Sequence, residues 1–206
     1  MLEKTFAAGS RIGVLGGTFD PIHNGHLAIA EVVRATFNLD AVLFIPAGTP
    51  PHKRGERTAG EQRCQMVQLA IADKPYFQLS RMEVMRKGPS YTVETMRELH
   101  ALYQDVKLYL ILGADMAVDF PHWYNPAGIM ELAKVVAVTR PGVGQEPLHS
   151  LVARPEYSAL ALVEISGIDI SSTDIRQRVQ QGLSITELTP PAVVNYISRE
   201  KLYILR

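Results

Sequence analysis

Residues 13–33, GVLGGTFDPIHNGHLAIAEVV, run from an apolar strand through two adjacent glycines, an Asp-Pro turn and two histidines into an apolar helix. In the helical part, Leu27, Ala30, Val33 and Phe37 recur at three- and four-residue steps with Arg34 the polar exception, so one face can pack on a sheet. A loop between such a strand and such a helix either closes a tight turn for packing or presents its backbone and imidazoles to a ligand.

The same alternation continues along the chain. Strands are predicted at Ile12–Leu15, Ala41–Ile45, Phe77–Leu79, Leu108–Leu112, Val135–Val138 and Leu160–Ile165, and helices at Gly25–Phe37, Gly60–Ala72, Thr92–Tyr103, Pro126–Leu132, Ser172–Gln181 and Pro190–Glu200. Apolar runs alternating with amphipathic helices are the signature of parallel βαβ units. The expected fold is α/β: a Rossmann-like, doubly wound parallel sheet with helices on both faces. It forms a single domain over 1–206, with a helical C-terminal part from about 171 to 206. Two stretches resist this pattern, AGTPPHKRGERTAG (47–60) and RPGVGQEPLHSLVARPEYSA (140–159); both are rich in Pro, Gly and charge and are expected as surface loops. The first follows the second strand, and ligands of open α/β sheets bind outside the carboxyl ends of strands. The second is assigned no role. No internal repeat or low-complexity tract is present.

With 206 residues, 47% of them hydrophobic, the chain can bury the core of one domain. Lys plus Arg and Asp plus Glu both total 21, so no global basic field points to long nucleic acid. Cys64 is the only cysteine and cannot form an intrachain disulfide; within the helical EQRCQMVQLAIAD it is expected to be a buried structural thiol, in keeping with a reducing cytoplasm. No apolar run approaches the roughly 18 residues of a membrane span, and MLEKTFAAGSR lacks a signal-peptide core, so neither membrane insertion nor secretion is expected.

Gly16 and Gly17, between strand and helix, let backbone N–H groups approach a phosphate without Cβ obstruction. The spacing Gly13-x-x-Gly16-Gly17 is not G-x-G-x-x-G, and the second strand ends in Ile45-Pro46-Ala47 without a ribose-binding acid, which disfavours a dehydrogenase. No G-x-x-x-x-G-K-[ST] occurs, which disfavours a P-loop enzyme. His23 and His26 either cap the helix or donate hydrogen bonds to phosphates at its positive end. As metal ligands they would need a third partner, and the nearby Asp20 has no companion, so no metal site is expected.

Further along, GIDISSTDIRQRV places Ser171, Ser172 and Thr173 before a helical run. Capping explains one hydroxyl; Arg176, one turn in, suits a clamp for β and γ phosphates. Asp115 follows Gly113 at the carboxyl edge of a strand, to accept ribose hydroxyls or to cap the next helix. Trp123 is either core or a stacking platform for a flat ring, lying as it does among His122, Tyr124 and Asn125. In KGPSYTVETMREL a turn precedes a helix whose first N–H groups, near Tyr91, Thr92 and Val93, are free to attract an anion.

His23-Asn24-Gly25-His26 resembles the H-x-G-H signature of the nucleotidyltransferase α/β phosphodiesterase superfamily, and GGTFDPIHNGH is similar to that of the bacterial nicotinate mononucleotide adenylyltransferases in particular. Ser171, Thr173 and Arg176 match that family's S-x-T-x-x-R; Ser90, Tyr91, Thr92 and Thr95 match S-Y-T-x-x-T; PHWY is close to its aromatic motif. The resemblance runs from about Ile12 to Tyr203, with the motifs in the family's order. It implies catalytic roles for His23, His26 and Arg176. It implies an ATP site of Gly16, Gly17, Thr18, Phe19, Gly25, Gly113, Asp115, Ser171, Thr173 and Arg176. The mononucleotide site would comprise Tyr91, Thr92, Trp123 and Tyr124, with the indole against the pyridine. His52 and Lys53, with Arg54, form a basic stretch suited to the mononucleotide phosphate, or a solvated loop.

A pyridine carboxylate at the helix beginning near Tyr91 would gain charge-assisted hydrogen bonds, whereas a carboxamide would turn its NH₂ toward other donors. The implied reaction is AMP transfer from ATP to nicotinate mononucleotide, giving the deamido dinucleotide and pyrophosphate in NAD biosynthesis, with Mg2+ carried by the ATP phosphates. A phosphopantetheine or nicotinamide mononucleotide adenylyltransferase and a non-catalytic nucleotide-binding module are the alternatives. Assembly into a homo-oligomer is left open.

Overall fold

Six parallel strands form one sheet in the order β3-β2-β1-β4-β5-β6. The computed structural model describes residues 6–48, 58–139, 145–166 and 170–204. Along the chain the elements are β1 (Arg11–Gly17), α1 (Asn24–Phe37), β2 (Ala41–Pro46), α2 (Gly60–Ala70), β3 (Phe77–Leu79), α3 (Met82–Met85), α4 (Thr92–Leu102), β4 (Lys107–Gly113), α5 (Ala114–Asp119), α6 (Pro126–Leu132), β5 (Ala133–Thr139), α7 (Gln145–Val152), β6 (Ala161–Glu164), α8 (Ser172–Gln180) and α9 (Pro191–Arg199). Short 3₁₀ turns occupy Phe120–His122 and Pro155–Tyr157.

Because successive strand residues face opposite ways, the sheet separates two cores. Leu15, Val42, Phe44, Ile111, Val136, Val138 and Val163 pack with α1, α2, α8 and α9 through residues such as Ala30, Val33, Met66, Ile175 and Val193. Ile12, Val14, Leu43, Ile45, Leu108, Leu110, Leu112, Val135 and Ala137 pack with α4 to α7 through Val93, Met96, Leu99, Ala117, Ile129 and Leu148. The predicted doubly wound sheet is the one found. Gly13 is its packing glycine: a Cβ there would come within 2.9 Å of Leu39 and 3.1 Å of Ile111 and Val42.

Helix α1 starts at Asn24 on an extended His23 and stops at Asn38, which adopts the left-handed conformation an Asn tolerates. Arg34, the polar exception on its apolar face, is accounted for by a cluster: its guanidinium lies 4.0 Å from the Tyr76 ring centroid and bonds Glu31, which also accepts from Lys74 Nζ and the Tyr76 hydroxyl. The expected surface loop at 140–159 is corrected in part. Gln145–Val152 is a helix, held down by Leu148 and Leu151, which are buried one turn apart and outweigh the Pro and Gly around them. Cys64 is fully buried, as expected of a structural thiol, and burial raises its pKa.

Candidate active site

The strand order reverses between β1 and β4, which opens a crevice at their carboxyl ends. Gly16 and Gly113 stand there on the two strands, and a Cβ at either would meet nothing within 4 Å. Packing therefore requires neither glycine, in contrast to Gly13. What their lack of a side chain leaves is backbone that a ligand can reach. An open groove near His100, Met130 and Lys134 lies instead at the amino ends of β4 and β5.

The β1–α1 loop carries the histidines into this crevice. His23 is buried at the N-cap, and its backbone N–H donates to His26 Nδ1 at 3.2 Å. The acceptor role of Nδ1 places the proton of a neutral His26 on Nε2, where it can be donated onward. The two rings stack with centroids 3.6 Å apart, and Phe19 meets His26 edge-on at 5.0 Å. Burial, with the neighbouring His23, pushes the His26 pKa well below its ordinary 6.5. It is a neutral donor at physiological pH. Phe19 was expected among the ATP contacts, but its side chain is core, 1% exposed against Phe44, so only its backbone can face a ligand.

Four distant segments clasp this loop. From α8, Ser172 Oγ donates to the Pro21 carbonyl at 2.8 Å and Arg176 Nη1 to the Asp20 carbonyl at 2.8 Å. Arg176 Nη2 also reaches Thr173 Oγ1 at 3.2 Å, which leaves part of the five-donor guanidinium fork for a ligand. Ser171 caps α8 through the Asp174 N–H, so for its side chain the capping reading holds. Before α9, buried Thr189 donates to the Ile22 carbonyl at 2.7 Å. From α2, buried Arg63 donates to the carbonyls of Thr18 (2.8 Å), Ala47 (2.7 Å) and Thr58 (3.1 Å), tying the ends of β1 and β2 together. Finally the Tyr203 hydroxyl donates to Asp20 Oδ1 at 2.7 Å, from a backbone at φ 65° that turns the ring back toward the loop. Burial beside the Asp20 carboxylate pushes the Tyr203 pKa far upward.

On the other side of the crevice, α4 begins after Tyr91. No side chain caps it, and the N–H groups of Thr92 and Val93 have no hydrogen-bond partner among the described residues. The Tyr91 ring meets that of Tyr124 with centroids 4.9 Å apart, joining two motifs far apart in sequence. Trp123 is half-buried and packs edge-on against Phe120 at 5.6 Å, with the rest of its surface exposed. Asn125 adopts a left-handed conformation and caps α6 through the Gly128 N–H. Asp115 is exposed in the first turn of α5, which Gly113 precedes, and no side chain caps that helix.

Thus Gly16, Gly17, Thr18, Gly25, His23 and His26 share one loop and helix start, joined by Thr173 and Arg176, while Tyr91, Thr92 and Tyr124 gather at α4. His52, Lys53 and Arg54 lie outside the described residues. Sequence reasoning missed Arg63, Asp20, Thr189 and Tyr203 as supports. Arg63 had a readable signal, a charge at the start of the buried series Met66, Val67 and Ala70 on α2. Tyr203 had none, since only the tertiary fold brings it to Asp20.

Comparison with known proteins shows the family. A cytidylyltransferase-like family model matches residues 14–178. A protein of Roseiflexus sp. named "probable nicotinate-nucleotide adenylyltransferase" is 51% identical over 93% of this chain and 97% of its own. One of the same name from Mycobacterium tuberculosis H37Rv is 44% identical over 93% of this chain and 91% of its own. The structure of Plasmodium falciparum nicotinic acid mononucleotide adenylyltransferase complexed with NaAD superposes with a TM-score of 0.77 at 17% identity, covering 94% of this chain and 97% of that one, which shows a common fold. By sequence similarity across nearly its whole length, the chain belongs to the nicotinate-nucleotide adenylyltransferases.

Proposed function

We propose that the chain transfers AMP from ATP to nicotinate mononucleotide, releasing pyrophosphate and nicotinate adenine dinucleotide. The observation that carries the choice of acceptor is the start of α4, where two unpartnered N–H groups lie beside the paired rings of Tyr91 and Tyr124. A flat ring bearing a carboxylate matches that arrangement in shape and charge. Family membership supports the donor and the reaction class.

The nucleophile is a phosphate oxygen of the mononucleotide. Its second pKa is about 6, so it is largely ionised near neutrality and needs no general base. It bonds to the ATP α-phosphorus as the bond from that phosphorus to the bridging oxygen of pyrophosphate breaks, and the electron pair leaves with pyrophosphate. The chain's task is to align two anions in line and to offset the charge that develops. His26 donates a hydrogen bond from Nε2 as a neutral imidazole, and Arg176 contributes the positive charge, with its guanidinium anchored on the Asp20 carbonyl. Gly16 and Gly113 admit the nucleotide close to the backbone.

No three His, Cys, Asp or Glu side chains gather as a metal cage among the described residues. Magnesium carried by the triphosphate is part of the proposal, and there it would offset phosphate charge. Lys53 and His52 remain the proposed contacts for the mononucleotide phosphate, and Trp123 for its pyridine. The buried thiol of Cys64 suits a reducing cytoplasm, and no described helix is long and apolar enough to cross a membrane.

The test is magnesium-dependent pyrophosphate release from ATP with nicotinate mononucleotide, nicotinamide mononucleotide or phosphopantetheine as acceptor. Strong preference for the nicotinate form is expected. Preference for the amide would remove the carboxylate from the α4 account, turnover with phosphopantetheine alone would reassign the acceptor, and ATP binding without turnover would mark a binding module.

A further inference from the structure

We propose that Arg63, which none of the matched motifs includes, is a positioning residue for ATP: it holds the turn at Thr18 and Phe19 in the conformation that offers its backbone N–H groups to phosphate. The proposal rests on the donor reading above. Phe19 is where that turn is strained. Its φ is 51°, in the left-handed region that an aromatic residue seldom occupies, and such a residue persists only where its surroundings over-determine it.

Two constraints meet at Phe19. The first is its ring, which is 1% exposed, packs against Phe44 with centroids 5.9 Å apart and meets His26 edge-on at 5.0 Å. The ring fixes where the residue sits but not which way its peptide turns. The second acts on the peptide itself: Arg63 Nη1 donates to the Thr18 carbonyl at 2.8 Å, directly before Phe19. One step earlier, the Gly17 carbonyl accepts from the Ala47 N–H at 2.8 Å. Both peptides are trans, so the N–H groups of Thr18 and Phe19 point away from the carbonyls that are held. Neither N–H has a hydrogen-bond partner among the described residues, and the pinned carbonyls thus leave both donors for an anion.

Arg63 is only 4% exposed, so it acts through the turn rather than on a ligand. Its Nε and Nη2 donate to the carbonyls of Thr58 at 3.1 Å and Ala47 at 2.7 Å. A rigid planar fork bonded to three carbonyls at once has a fixed orientation, which fixes the direction from which Nη1 pulls on Thr18. A buried guanidinium is expensive to desolvate, and an apolar residue would pack α2 at lower cost without directing any carbonyl. Without the bond to Thr18, Phe19 would relax out of the left-handed region, turning its N–H and shifting the ring that His26 rests against.

The experiment is steady-state kinetics on the full chain with ATP varied at saturating nicotinate mononucleotide, for wild type, Arg63→Lys, Arg63→Gln and Val135→Ala, each with its urea midpoint. Saturation with the acceptor removes any effect on the acceptor's own binding. Arg63→Lys keeps the charge but replaces the fork by a single ammonium, and should raise KM for ATP roughly tenfold, on the lower side of the ~10²-fold that ~1 Å of misplacement can cost. Arg63→Gln should do the same and serves if Arg63→Lys fails to fold. A partly unfolded population lowers kcat but leaves KM where it was, so the rise in KM separates positioning from stability. Val135→Ala, which opens a cavity in the other core, should lower the midpoint while KM for ATP stays within about twofold of wild type. An unchanged KM in both Arg63 variants, or an equal rise in Val135→Ala, would overturn the role of Arg63. Wild-type turnover is the separate test of the donor reading; its absence would remove the ATP site and this proposal with it.

Discussion

In the proposed reaction the imidazole of His26 would contribute a directed hydrogen bond rather than a charge, because burial and the neighbouring His23 keep it neutral. His26→Ala should lower kcat by roughly 10²- to 10³-fold, the range for a donor to developing charge, while circular dichroism shows the fold intact. The same shift has a stability consequence. Below pH 6.5 the unfolded chain binds a proton at this position that the native chain does not, so stability rises with pH across that window and is lost as pH falls toward the lowered native value. Urea midpoints measured from pH 7 to pH 5 should fall, and should fall less steeply in His26→Gln. The glycines divide by function at this scale too. Gly13→Ala should destabilise by about 1–3 kcal/mol through overpacking against Leu39, Ile111 and Val42, read from urea unfolding, whereas the Cβ of Gly16→Ala meets open space and should act on ATP affinity instead. The sequence places Gly13 within the first strand and Gly16 after it; only the neighbours that the fold brings show that packing requires the first.

Among elements, the loop between β1 and α1 gains its shape from α2, α8, the turn before α9 and the segment after it. Tyr203→Phe removes the donor to a buried carboxylate and should cost about 1–3 kcal/mol of stability. Its effect on turnover should appear in kcat/KM for ATP more than for the mononucleotide, since Asp20 also carries the carbonyl that anchors Arg176. Trp123→Ala should do the converse and raise KM for the mononucleotide more than for ATP; equal effects would make the indole purely a packing group against Phe120. All six strands were legible because a parallel sheet covered on both faces demands near-continuous apolar runs. Helices α3, α5 and α7 were not. The first two are four and six residues long, and the third is embedded among prolines and glycines, so that only the burial of Leu148 and Leu151 reveals it. At the candidate site the motifs were legible as residue types around glycines and helix starts, and Arg63 as a charge in a buried series, while Asp20, Thr189 and Tyr203 act through contacts that no local pattern encodes.

For the molecule as a whole, the proposed ATP site lies at strand ends between two cores, so its occupancy should register as global stability. At 100 times its Kd, ATP bound only by the native state adds about 2.7 kcal/mol. For a chain of this size that corresponds to a rise in Tm of roughly 5–10 °C, checked by calorimetry with and without ATP and magnesium. The topology was legible in outline, and the reversal of strand order between β1 and β4 follows from it only once the pairing is seen. The bond from Tyr203 to Asp20 spans 183 positions, and that distance is also an interval of time. At ~5–20 residues per second, a ribosome that has just made Asp20 takes on the order of ten to forty seconds to reach Tyr203. Throughout that interval the histidine loop has been made but lacks its last support. The growing chain therefore carries the residues proposed to bind ATP well before it can hold them in place, so competence for ATP is expected to arrive late in translation.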